Sequence, residues 1–194
     1  MPYRDVQAAV IAALADHARP NHPSWQDMFD PIAARLAGKE RLADPEAIAP
    51  RITFRTGLSG MEEVAGEAAI ILKHMARMHN STHIALLVMR HNTQWPSDLY
   101  DRAQKLVEAD CVALLNLHHR FLLRRCVKEA LYPSKDDGAR LPMSYIADKT
   151  GVHRNTVRAY WQRLLPWVIT ETGKAYAELT DRLEVAGLIG VETV

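Results

Sequence analysis

The stretch SYIADKTGVHRNTVRAYWQRLL, residues 144 to 165, decides how the rest of this chain is read. Gly151 stands at its centre, and Ile146, Val152, Val157 and Tyr160 are spaced to close a small core between two short helices. Ala147, four residues before the glycine, is small where the first helix must touch the second. Gly151 itself can take the left-handed conformation that the turn between them requires. The other positions carry Arg, His, Asn and Gln, and no acid occurs between Lys149 and Thr170.

The stretch resembles the helix-turn-helix family of bacterial and phage regulators, whose sequences commonly read I-A-x-x-x-G-V-x-x-x-T-V. Ile146, Ala147, Gly151, Val152, Thr156 and Val157 match that pattern, and the likeness covers 22 of the 194 residues. It implies a C-terminal helix-turn-helix at 143–165 whose second helix, 154–165, ends at Pro166 and reads the major groove of double-stranded DNA. The base-facing residues would be His153, Arg154, Asn155, Arg158, Ala159 and Gln162. Their chemistry suits base edges, since Arg forks onto guanine, Asn or Gln onto adenine, and the Ala159 methyl can meet a thymine methyl. Ser144, Lys149, Thr156 and Arg163 would contact phosphates, which orient a protein without specifying sequence. The same residues on a protein that binds no DNA would be the solvated side of two core helices.

Charge along the chain favours the first reading. Residues 1–117 hold 12 Lys+Arg against 14 Asp+Glu, residues 118–170 hold 10 against 4, and residues 171–194 hold 2 against 5. The formal net charge of +1 therefore hides a basic block around the quoted stretch. Just upstream, Arg120, Arg124, Arg125 and Lys128 recur at helical spacing and either add phosphate contacts or serve solubility alone.

The remaining sequence is mostly helical in pattern, so the expected fold is mainly α and multi-helical. Helices are expected from Tyr3 to Pro20, from Ser24 to Gly38 with Pro31 able to divide it, and from a capping box at Ser59 and Glu62 onward. A break at Asn80 precedes another helix, and a long one is expected from about Ser97 to Leu131, since Gln104 to Leu131 lacks Gly and Pro. RITFRTG alternates like an edge strand and could pair with LIGVETV, giving a two-stranded element of about 51–56 with 188–194. These signals divide the chain into a helical N-terminal region, 1–95, for dimerisation or partner binding, and a DNA-binding region, 96–194.

Catalysis and metal binding find little support. His79 and His83 flank a helix boundary without the glutamate of zinc hydrolases. Cys111, His118, His119 and Cys126 lie along one expected helix, too far apart to share an ion. No phosphate-cradling loop, nucleophile elbow or paired-carboxylate motif occurs. An enzyme is not expected, nor a cofactor, nor a metal. The two cysteines suit reduced, buried thiols, and no apolar run approaches a membrane span, so a cytoplasmic protein is expected. The leading function is a sequence-specific transcription regulator, acting as a possible homodimer. ALLNLHHRF leading into the quoted stretch also resembles phage Q-type antitermination proteins, which implies RNA polymerase as a second partner. A DNA-binding subunit of a packaging or replication machine is the remaining alternative.

Overall fold

The computed structural model describes residues 3–15, 25–38, 60–91, 97–132 and 143–189. Eight helices account for nearly all of them: α1 (Val6–Ala15), α2 (Trp25–Leu36), α3 (Gly60–Ala76), α4 (Ser81–His91), α5 (Ser97–Leu115), α6 (Arg120–Leu131), α7 (Met143–Thr150) and α8 (Arg154–Val185). The protein is mainly α, as the periodicity of the sequence predicts. The candidate strand at 51–56, the cap at Ser59 and the boundary near residue 95 lie outside the described residues. Ile189 makes one parallel bridge with Tyr3, and no sheet forms among the described residues.

At the centre lies α4, buried continuously from Thr82 to Met89. A helix apolar on all sides must be surrounded, and α1, α2, α5 and α8 pack around it. Asn80 caps its start by accepting the Thr82 N–H at 2.9 Å. Polar ties fasten it to its neighbours. The Thr82 hydroxyl donates to Asp110 on α5, and the His83 ring lies between Glu171 (3.0 Å) and Glu178 (3.3 Å) of α8. Apolar residues at four-residue spacing on α5, namely Leu99, Ala103, Val107 and Cys111, complete that side. One hydrophobic core runs from Ala9 to Ile189 and includes residues from all eight helices.

Three proline and asparagine positions depart from the sequence reading. Pro31 does not divide α2, which runs unbroken through it. Pro166 does not end the helix of the quoted stretch either, because α8 runs 32 residues from Arg154 through it to Val185. Burial at Val157, Leu164, Val168, Thr172, Ala175, Leu179 and Leu183 repeats at helical spacing on both sides of the proline. Tertiary packing thereby offsets the roughly 3 kcal/mol that an interior proline costs. Pro166 and Gln162, whose carbonyl loses its intrahelical donor, are both exposed, so water can take that carbonyl.

The third departure concerns the long helix expected up to Leu131, which is broken between α5 and α6. Asn116 takes φ +53°, and Leu117 buries its side chain while its N–H reaches back to the Cys111 carbonyl at 3.4 Å. Asparagine is the residue after glycine that most readily adopts this left-handed closure. His119 then restarts the chain by accepting the Leu122 N–H at 3.2 Å. Cys111 and Cys126 therefore sit on different helices. Burial pushes both thiols up to about 12, so neither is a thiolate at neutral pH.

Two histidines, His74 buried and His91 half-buried, contribute to the response to acid. His74 is 1% exposed, and its pKa is lowered to about 4 by burial and by the charges of Arg182, Arg77 and Lys73. Burial, aided by Arg90, lowers His91 to about 4 as well, where its Nε2 is hydrogen-bonded with the Tyr176 hydroxyl. Both rings stay neutral in the fold but bind protons near pH 6.5 when unfolded. Between pH 6.5 and 4 the unfolded chain holds more protons, so stability falls as pH falls through that window and is unaffected by these groups above it. Thermal melts at about pH 7.5, 5.5 and 4.5 should show a progressive loss that reaches about 5 kcal/mol at the lowest pH, a share of which His91→Gln should remove.

Candidate nucleic-acid interface

Residues 143 to 163 form a short helix, a tight turn and the first turns of a long helix. The Thr150 hydroxyl donates to the Ile146 carbonyl at 2.7 Å as α7 ends. Gly151 follows with φ +67°, and the Val152 N–H closes over it onto the Ala147 carbonyl at 3.2 Å. A Cβ at Gly151 would meet nothing, so the glycine is needed for its backbone conformation alone. Gly151→Ala should cost about 1–2 kcal/mol in a urea titration, with Gly151→Asn costing less. The buried side of the turn is made by Ile146, Ala147 and Val157, with Val152 and Tyr160 partly buried against them. These are the positions that the sequence assigns to the small core.

His153 caps α8 by accepting the Asn155 N–H on Nδ1 at 3.3 Å. That bond fixes the tautomer with its proton on Nε2 and leaves that nitrogen as a donor. Beyond it, Arg154, Arg158 and Gln162 follow at four-residue spacing, and Asn155 and Ala159 lie beside them. All six candidate base-facing residues are exposed. They occupy about 12 Å of helix, the length of three to four base-pair steps. Thr156 and Arg163, seven residues apart, lie on one flank of that face and are exposed, as are Ser144 and Lys149 on α7. No acid interrupts the surface from Lys149 to Thr170, and Glu171 is the first.

Behind this surface α6 packs against both α7 and α8 and braces them. Tyr160 fixes the brace at one point, where its hydroxyl takes the His119 N–H at 2.8 Å. The basic residues of α6 turn out to be unequal. Arg120 and Arg124 both reach Glu108 of α5, a carboxylate 4% exposed that also accepts from Gln104 at 2.9 Å. Burial pushes the Glu108 pKa up, but the bonds from Arg124, Gln104 and Arg120 outweigh it and hold the carboxyl below its ordinary range. Two of the four cations thus share one carboxylate, which offsets one of their two charges.

Arg125 is placed differently. Its guanidinium lies 5.7 Å from the centre of the Tyr145 ring, and Lys149 lies 5.6 Å from the same ring. The exposed tyrosine thereby collects two cations beside the turn. Sequence alone did not reveal this cluster, because Tyr145 falls on the polar side of α7 and Arg125 comes from another helix. The i, i+4 spacing of Tyr145 and Lys149 was the only local trace of it. Nor did the sequence reveal Glu108 as the partner of Arg120 and Arg124, which lie 12 and 16 residues further on.

Among the described residues no group of three or more His, Cys, Asp or Glu side chains could hold a metal ion, and no helix is long and apolar enough to cross a membrane. Comparison with protein-family models, with curated proteins and with solved structures found no match for the chain. Any function therefore has to rest on the residues themselves.

Proposed function

We propose that α7, the turn at Gly151 and the first three turns of α8 act as a helix-turn-helix, and that the protein is a sequence-specific double-stranded DNA-binding regulator of transcription. One observation carries the reading. Arg154, Asn155, Arg158, Ala159 and Gln162 form a single exposed, acid-free face on a helix start that a buried turn and a packed support helix hold rigid. A helix start held in place needs no backbone reordering on binding, which favours base recognition. Arg154, Arg158 and Gln162 reach base edges, Asn155 completes an adenine contact, and Lys149, Arg163, Ser144 and Thr156 set the register on phosphates.

The expected partner is a duplex, and a pair of half-sites one helical turn apart would indicate a homodimer. Titrating a labelled random-sequence duplex at about 50 and 200 mM salt gives the first test. The two cations assigned to phosphates, Lys149 and Arg163, should make binding roughly 10-fold weaker at the higher salt. Absence of saturable binding at the lower salt would contradict the reading.

A further inference from the structure

We infer that Tyr145, with Arg125 and Lys149 held at its ring, is a clamp for one backbone phosphate of the duplex, placed beside the reading face. The clamp presupposes the DNA reading proposed above and adds to it a contact from the support helix, α6. Two helices build it. Tyr145 and Lys149 stand one turn apart on α7, and Arg125 comes from α6, which packs on α7. The guanidinium lies 5.7 Å and the ammonium 5.6 Å from the centre of the same ring.

All three side chains are open to a ligand. Tyr145 is 40% exposed, Lys149 is exposed and Arg125 is half-buried. Of the Arg125 nitrogens only Nε is both buried and unbonded, and the terminal pair, which makes no hydrogen bond among the described residues, is accessible. An aromatic ring holds a cation without neutralising it, because the ring carries a quadrupole and no net charge. Arg120 and Arg124 differ in this respect, since both are tied to the Glu108 carboxylate. Neither Arg125 nor Lys149 forms an ion pair among the described residues.

This arrangement matches a phosphodiester. Arg125 can fork onto its two free oxygens, Lys149 adds a point charge, and the Tyr145 hydroxyl can donate to either oxygen. Asp148, exposed on the same helix, reduces the local charge to a surplus of one, which a single phosphodiester neutralises. Ser144 and Lys149 already belong to the phosphate-contacting set proposed for α7, so the clamp extends that surface towards α6. Because the ring holds both cations in place beforehand, they lose less freedom when a phosphate arrives.

Titrating a labelled random-sequence duplex with the full chain at about 50 and 200 mM salt tests the clamp. With Arg125 added to Lys149 and Arg163, wild-type binding should become roughly 40-fold weaker at the higher salt, and Arg125→Gln should return that factor to roughly 10-fold. Arg120→Gln makes the same change in net charge but removes a cation already paired with Glu108, so it should leave the factor near the wild-type one. Tyr145→Leu keeps every cation and removes the ring, and its affinity at the lower salt should fall by about 2-fold to 10-fold. Saturable binding with the same salt factor in the wild type and in Arg125→Gln would overturn the clamp and leave the DNA reading standing. An equal drop in Arg125→Gln and Arg120→Gln would do the same, because it would mark diffuse charge and no local contact. Unchanged affinity in Tyr145→Leu would also overturn the clamp. Absence of saturable binding by the wild type would overturn the DNA reading and the clamp together.

Discussion

Replacing Arg154 and Asn155 together with alanine should lower affinity for a preferred duplex by about 30-fold to 10,000-fold and leave the melting temperature within a degree or two. The range follows from two base contacts of about 1–3 kcal/mol each. Both side chains are exposed and make no described side-chain contact with the core, so the fold loses nothing by their removal. The Asn155 N–H that bonds to His153 is backbone and survives the substitution. Binding to unrelated duplexes should fall far less, since Lys149, Arg158 and Arg163 remain to meet phosphates. Fluorescence anisotropy on matched and scrambled duplexes separates the two effects. Equal losses on both would mean that Arg154 supplies charge and reads nothing.

Leu179→Ala should produce the other large effect, a loss of about 2–5 kcal/mol in urea unfolding. Leu179 is fully buried on the C-terminal half of α8, in the same core as α4 and α5. Because α8 carries the candidate reading residues at one end and core residues along its length, the protein should unfold in one transition seen by every probe. Melting of residues 143–163 at a separate midpoint, followed by the fluorescence of Trp161, would show that the reading end is an independent unit.

The parts of the molecule that were legible in the sequence are those governed by local rules. The Gly151 turn, its apolar partners Ile146, Ala147 and Val157, and the exposed face from Arg154 to Gln162 all follow from positions a few residues apart. The break at Asn80 does so as well. Non-local packing governs what was missed. Pro166 carries the ordinary signature of a helix end, and only burial at Val168, Thr172 and Ala175 shows why the helix passes through it. Asn116 lies in a run without Gly or Pro, and its left-handed closure depends on Leu117 finding a place in the core. Arg120 and Arg124 look like an open basic stripe until α5 brings Glu108 to them.

The charge pattern divides in the same way. The basic block from 118 to 170 is real in the sequence, but its α6 portion is partly spent inside the protein on Glu108. The portion on α8 forms no ion pair among the described residues, and it is this uncompensated part that supports the DNA reading. Enrichment of duplexes from a random pool, carried out side by side on the wild type and on the Arg154→Ala/Asn155→Ala variant, tests that reading most directly. A defined site enriched by the wild type and lost by the variant is the expected result. Enrichment of no site, or of the same site by both proteins, would contradict the assignment of α8 as the reading helix.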